Sequence, residues 1–146
     1  MLKGIDPLLG PELLAALRAM GHADEIAIVD ANFPAVSNAK RLIRLDGVGA
    51  PRAVRAILTV LPLDQFERVA AIRMAVDGAP EQTPPIVAEF ERLLLEVGWE
   101  GPLGVLDRFA FYERVRAAYA IVATGERRYW ADLILKKGAI PPPSEP

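Results

Sequence analysis

The chain has 146 residues, of which 17 are basic and 19 acidic, for a formal net charge of -2; 52% are hydrophobic and none is cysteine. That length suits one domain, and so balanced a charge gives no electrostatic reason to expect nucleic acid or a membrane surface as partner. Without cysteine there is no disulfide, thiolate metal site or thiol nucleophile, and the single histidine, His22, cannot build a histidine-rich metal site within one subunit.

The N-terminal MLKGIDPLLGPELL has no apolar core of signal-peptide length, and no run approaches a transmembrane helix, so the cytoplasm is the expected location. Pro11 to Met20 reads as a helix, with Leu13, Leu14, Leu17 and Met20 on one face and Gly21 as its stop. Ile26 to Val29 and Arg41 to Leu45 read as buried strands. Gly47-Val48-Gly49 then leads into a helix from Pro51 to Leu61. Val69 to Val76 is a third strand, closed by Asp77-Gly78, and Pro80, Pro84 and Pro85 mark a loop.

Ile86 to Val97 is the clearest helix, with Ile86, Phe90, Leu93, Leu94 and Val97 as its buried stripe. A short strand at Val105 to Asp107, a helix from Phe109 to Ala118, and strands at Ile121 to Ala123 and Leu133 to Leu135 complete the pattern. The Pro-rich tail, residues 141–146, is expected to be extended or disordered after a single domain spanning 1–140. Helices alternating with short apolar strands indicate an α/β fold, three-layer α/β/α, with a mostly parallel or mixed central sheet. The hydrophobic share is rich for a monomer of this size, which points to apolar surface buried between subunits.

Several segments carry polar groups suited to chemistry. Gly47-Val48-Gly49 resembles a phosphate turn, but Arg52 stands where the third glycine of the dinucleotide fingerprint belongs and no Walker lysine follows; a plain strand-to-helix turn is the better reading. His22 is either a proton shuttle, kept protonated by Asp24 and Glu25, or a cation at a helix C-terminus. Asp30 is either a ligand group at a strand's C-terminal end or the cap of a following turn. Arg108-Phe109-Ala110-Phe111-Tyr112-Glu113-Arg114 and Thr124-Gly125-Glu126-Arg127-Arg128-Tyr129-Trp130 offer aromatic faces that suit sugar rings, cores or interfaces equally.

Taken together, MLKGIDPLL, MGHADEI, DANFPA, RFAFYER, ATGER and LILKKG resemble the L-fucose mutarotase / D-ribose pyranase family over nearly the whole chain, closer to the fucose branch. The resemblance implies a cytoplasmic isomerase that interconverts anomers of a free sugar without metal or organic cofactor. It also implies a homo-oligomer, commonly a decamer built from pentameric rings, with sites at subunit boundaries. By the family's motifs His22 is the catalytic histidine, Asp30 the sugar-binding aspartate and Arg108 the arginine opening RFAFYER.

One motif departs. Where the family has Tyr-Gly-Asn or Tyr-Ala-Asn before its last strand, this chain has Trp130-Ala131-Asp132. Trp130 would pack on an apolar sugar face and Asp132 would accept hydroxyl hydrogen bonds, while Tyr129, one residue early on an extended segment, would point elsewhere. The change bears on which sugar is recognised more than on the reaction class. A non-catalytic sugar-binding or regulatory protein on the same scaffold is the alternative function.

His22 precedes the first strand and Asp30 follows it, so a straight strand separates them by roughly 20–26 Å. Either the chain folds back between Gly21 and Glu25, or one pocket takes residues from two subunits.

Overall fold

A computed structural model describes residues 1–144. In chain order its elements are α1 (Pro11–Ala19), β1 (Glu25–Val29), α2 (Ala35–Asn38), β2 (Leu42–Leu45), α3 (Ala50–Leu58), β3 (Ala71–Met74), α4 (Pro85–Glu96), β4 (Leu103–Leu106), α5 (Arg108–Ala117), β5 (Ala120–Thr124) and β6 (Leu133–Lys136). Helices α1, α3 and α4 each begin with proline in the first two positions, where a missing N–H costs nothing.

The strands form one sheet in the order β2-β5-β1-β6-β3-β4. Pairs β1–β5, β2–β5 and β3–β4 are parallel, while β6 runs antiparallel to both β1 and β3. The sheet is thus mixed, and it is covered on both sides. Alternation along β1 sends Ile26 and Ile28 to one face and Ala27 and Val29 to the other. The first face packs on α1, α3 and α4 through Leu13, Leu17, Val54, Ile57 and Phe90. The second packs on α2 and α5 through Ala35, Phe111 and Val115. Burying each of the larger side chains contributes about 1.5–3 kcal/mol, and the two layers explain why the inner strands read as continuous apolar runs.

Several expectations shift. Helix α2 follows Pro34 within a segment too short for a periodic signal, and only Ala35 of its residues is buried. Asp107, read as the end of a strand, is instead the N-cap of α5: its carboxylate accepts from the N–H groups of Phe109 and Ala110. Gly21 does not terminate α1; the cap is Met20, and the reversal that follows uses Ala23 at φ 69. Residues 141–144 have no regular structure, and 145–146 of the expected tail lie outside the described residues.

Candidate active site

A cavity of about 160 Å³ opens at the C-terminal ends of β1 and β3, the end of an α/β sheet where ligands bind. Asp30 enters it from the end of β1, Asp132 from just before β6, and Arg108 from the first turn of α5, with Trp130 beside them. All four substrate-binding residues expected from sequence therefore line one cavity.

Asp30 caps the turn that follows β1 and also lines the cavity at the strand's end. Its Oδ1 accepts from the N–H groups of Asn32 (2.8 Å) and Phe33 (3.1 Å), tying down the turn after β1, while the residue still lines the cavity. Its own N–H donates to Asp132 Oδ1 at 2.9 Å. Asp132 is fully buried, and its Oδ2 has no hydrogen-bond partner among the described residues. Burial first, and then the charge of Asp30, raise the Asp132 pKa well above the ordinary value; burial also raises that of Asp30.

Arg108 Nε lies 2.9 Å from Asp77 Oδ2, an ion pair off the line of a hydrogen bond, and its guanidinium stacks on Phe109. One helical turn on, Tyr112 faces the same cavity. Burial first, then the charge of Asp132, raise its pKa, against the opposing effect of Arg108, so the hydroxyl keeps its proton and can both donate and accept. Tyr112 also meets Phe33 edge to face at 4.8 Å.

Tyr129 corrects the reading that placed it elsewhere: it lines the cavity together with Trp130. The segment is a turn rather than a strand, with Trp130 at φ 62, so the alternation that would have separated the two does not operate. Asp77, Tyr112 and Tyr129 are among the cavity residues missed from sequence, with Asn32, Phe33 and Met74. The first two had a signal, namely a strand's C-terminal end and i+4 spacing from Arg108.

His22 is not in this cavity. Its Nε2 lies 3.0 Å from Oδ1 of the buried Asp64, and its ring meets Phe66 edge to face at 5.1 Å. Burial opposes ionisation of Asp64, but His22 and the N–H groups of Phe66 and Glu67 outweigh it and hold the carboxyl below its ordinary range. Asp64 is therefore the acceptor in this contact and Nε2 carries its hydrogen.

The expected partners of His22 are engaged elsewhere. Asp24 accepts from the Gly21 N–H, and Glu25 forms a forked pair with Arg114. Nor does His22 cap α1; Lys137 does, donating to the carbonyls of Leu17 and Met20. The segment does not fold back towards Asp30. Backbone bonds between Ala23, Asp24 and Lys137 fix it at the N-terminal end of β1, a strand of roughly 15 Å away from the cavity. Asp64 gave no local signal; the bridge between Leu63 and Lys137 brings it there.

Beside His22 lies an apolar groove of about 720 Å³ lined by Phe66, Val97, Trp99 and Ile140 among others. The Gly47-Val48-Gly49 turn leads directly into α3. The N-terminus of α3 is filled by the chain's own Glu126, whose Oε2 accepts from Ala50 N–H at 3.3 Å. Among the described residues no three His, Asp or Glu side chains converge to hold a metal ion, and no helix is long and apolar enough to cross a membrane.

Residues 3–140 match the RbsD / FucU transport protein family. The chain is 45% identical to the fucose mutarotase of Danio rerio, covering 97% of this chain and 96% of that one. It is 44% identical to the fucose mutarotase of Homo sapiens, with 95% and 94% covered. Among solved structures it is similar to the fucose mutarotase in complex with L-fucose from Streptococcus pneumoniae, at 40% identity and a TM-score of 0.91 over 96% of this chain and all of that one. The chain belongs to the RbsD / FucU family.

Proposed function

We propose that this protein is a cofactor-independent sugar mutarotase, interconverting the anomers of a free L-fucose-like or ribose-like monosaccharide. The observation that carries the reading is the cavity itself: Asp30, Asp132, Arg108 and Tyr112 converge with Trp130 in one small recess, mixing polar groups for sugar hydroxyls with aromatic faces for sugar C–H. Near-full-length similarity to fucose mutarotases supports it.

The reaction moves two protons. His22 donates one to the ring oxygen as the anomeric hydroxyl loses its own, the bond between the anomeric carbon and the ring oxygen breaks, and an open-chain aldehyde forms. Rotation about the neighbouring carbon–carbon bond presents the other face of the aldehyde, and the same transfers in reverse close the ring. An imidazole can both give and take a proton, which serves both directions. Asp30, Arg108, Trp130 and Asp132 hold the sugar, and Asp30 can assist as a base.

Because His22 sits at the far end of β1, the working site joins the His22–Asp64 end of one subunit to the Asp30 cavity of another. The protein is then a cytoplasmic homo-oligomer, a decamer by its family resemblance. The apolar groove beside His22, with exposed Phe66 and Ile140, supports burial of that end against a second copy.

Saturation-transfer NMR of anomer exchange with L-fucose, D-ribose and a panel of reducing sugars tests this. Exchange accelerated by the wild type is abolished in His22→Ala. Co-assembling His22→Ala with Asp30→Asn, each inactive alone, restores part of the activity where two intact halves meet. Binding without acceleration by the wild type would favour the non-catalytic sugar-binding reading, and no rescue on mixing would place the whole site within one subunit.

A further inference from the structure

The Asp30–Asp132 pair is an unusual instrument for a sugar site. Two carboxyls meet at the cavity, one of them fully buried, with Asp132 Oδ1 already committed to the Asp30 N–H and Oδ2 without a hydrogen-bond partner among the described residues. Among the described residues no cation is paired with either carboxyl. Arg108, on α5, is paired with Asp77 from the loop after β3. Arg73 on β3 is in register with Leu133, which faces the opposite side of the sheet, and donates to the Met74 carbonyl. The remaining titratable groups at the cavity are Tyr112, whose hydroxyl keeps its proton, and Tyr129. Two negative charges on these adjacent buried carboxyls would leave one of them unpaired, at a cost far beyond that of keeping one proton.

We propose that Asp132 is a neutral carboxylic acid in the working protein and donates a hydrogen bond through Oδ2 to a substrate hydroxyl oxygen, with Asp30 as the ionised acceptor beside it. The pair presents a donor and an acceptor side by side, so it grips two neighbouring sugar hydroxyls, one accepting and one donating. This reverses the acceptor role read for Asp132 from its residue type alone: a buried acid does the work of a carboxamide. Burial and the neighbouring charge, which raise the Asp132 pKa, agree with the geometry. Binding then depends on a proton that the protein, not the sugar, carries.

The inference deepens the mutarotase reading and rests on it for the identity of the ligand, but its first test needs no sugar. Infrared difference spectra of the sugar-free wild type at pH 7 should contain a protonated-carboxyl band that is lost in Asp132→Asn. If all carboxyls are ionised at pH 7, the inference is overturned whether or not the protein is a mutarotase; if the band is present but no sugar is turned over, the mutarotase reading fails and the protonated pair stands.

With L-fucose as substrate, Asp132→Ala should raise KM roughly tenfold or more relative to Asp132→Asn, the cost of an unmade hydrogen bond in a buried site, with kcat changing much less. In the wild type, KM should rise over the pH range in which the band disappears, and Asp132→Asn should flatten that rise. Equal KM values for the Asn and Ala variants, or loss of the band without a change in KM, would overturn the donor role.

Discussion

Glu126 joins three parts of the molecule, and its replacement by glutamine has a calculable consequence. It lies just past β5 and is 7% exposed. Its Oε1 accepts from Arg128 Nε at 3.0 Å, and its Oε2 from Arg128 Nη2 at 3.0 Å and from the Ala50 N–H that opens α3. Arg128 also reaches Glu89 on α4. Chiefly through Arg128, and despite burial, the Glu126 carboxyl is lowered from 4.5 to about 2. Its ionisation is thus favoured more in the folded than in the unfolded chain. At about 1.4 kcal/mol per pH unit that preference corresponds to roughly 3 kcal/mol at neutral pH, and to about 2–3 kcal/mol once screening at the half-exposed Arg128 is allowed for.

The sign follows from the lowered pKa. The stabilisation is complete above the unfolded value and is lost as pH falls from about 5 to about 2. Urea unfolding of wild type and Glu126→Gln at matched protein concentration, followed by circular dichroism at pH 7, 4 and 2, measures it. The variant should be less stable by about 2–3 kcal/mol at pH 7, lowering Tm by roughly 5–10 °C in a chain this long, and the gap should close in acid. A gap that does not depend on pH would show that the carboxylate's charge is not what holds the end of β5 to α3, and would refute the reasoning.

Gly125 is the other half of that junction. Its N–H donates to the Val48 carbonyl, and a Cβ there would stand 2.0 Å from the Asp46 carbonyl oxygen. Gly125→Ala should therefore cost about 2 kcal/mol or more by forcing two backbones apart, read as a lower urea midpoint. At the cavity, Asp132→Asn should act in the opposite sense on stability. A carboxyl whose folded pKa is raised destabilises the fold increasingly as pH rises above the unfolded value of 3.8. The variant should gain on the wild type from pH 4 upward and match it in stronger acid, and a variant less stable than wild type at pH 8 would contradict this.

Periodicity made the layers legible. The runs of β1 and β5 and the α4 stripe of Ile86, Phe90, Leu93 and Leu94 reflect burial on two faces or one, properties of local sequence, whereas Val97, read into that stripe, is exposed just past the helix end. Chain reversals were less legible: Asp107 looks like the last residue of a strand until its carboxylate is seen bonding forward into α5. Asp30 could be named from its place at a strand's C-terminal end, whereas Arg108, Trp130 and Asp132 came from the resemblance to the family's motifs. The partner of His22 could not, because Asp64 lies 42 residues away and arrives through the pairing of Leu63 with the end of β6. Local charges such as Asp24 and Glu25 are a poor guide to a histidine's partner when both have backbone or arginine donors of their own.

The Tyr129–Trp130 turn shows why residue type and spacing underdetermine such a site. Consecutive side chains on an extended strand face opposite ways, and that rule would have sent one aromatic to the cavity and the other out of it. Placing both on the cavity requires Trp130 to adopt φ 62, a conformation that costs a bulky L-residue about 1–3 kcal/mol. The strain is held from the C-terminal side. Ala131 and Asp132 are completely buried, and the Asp30 N–H bond to Asp132 fixes where the chain must enter β6. The same carboxyl that gives the cavity its proton therefore anchors the strained turn that gives the cavity its aromatic wall. Relief of that strain by glycine at 130 would remove the indole itself, so conformation and recognition cannot be separated at this position.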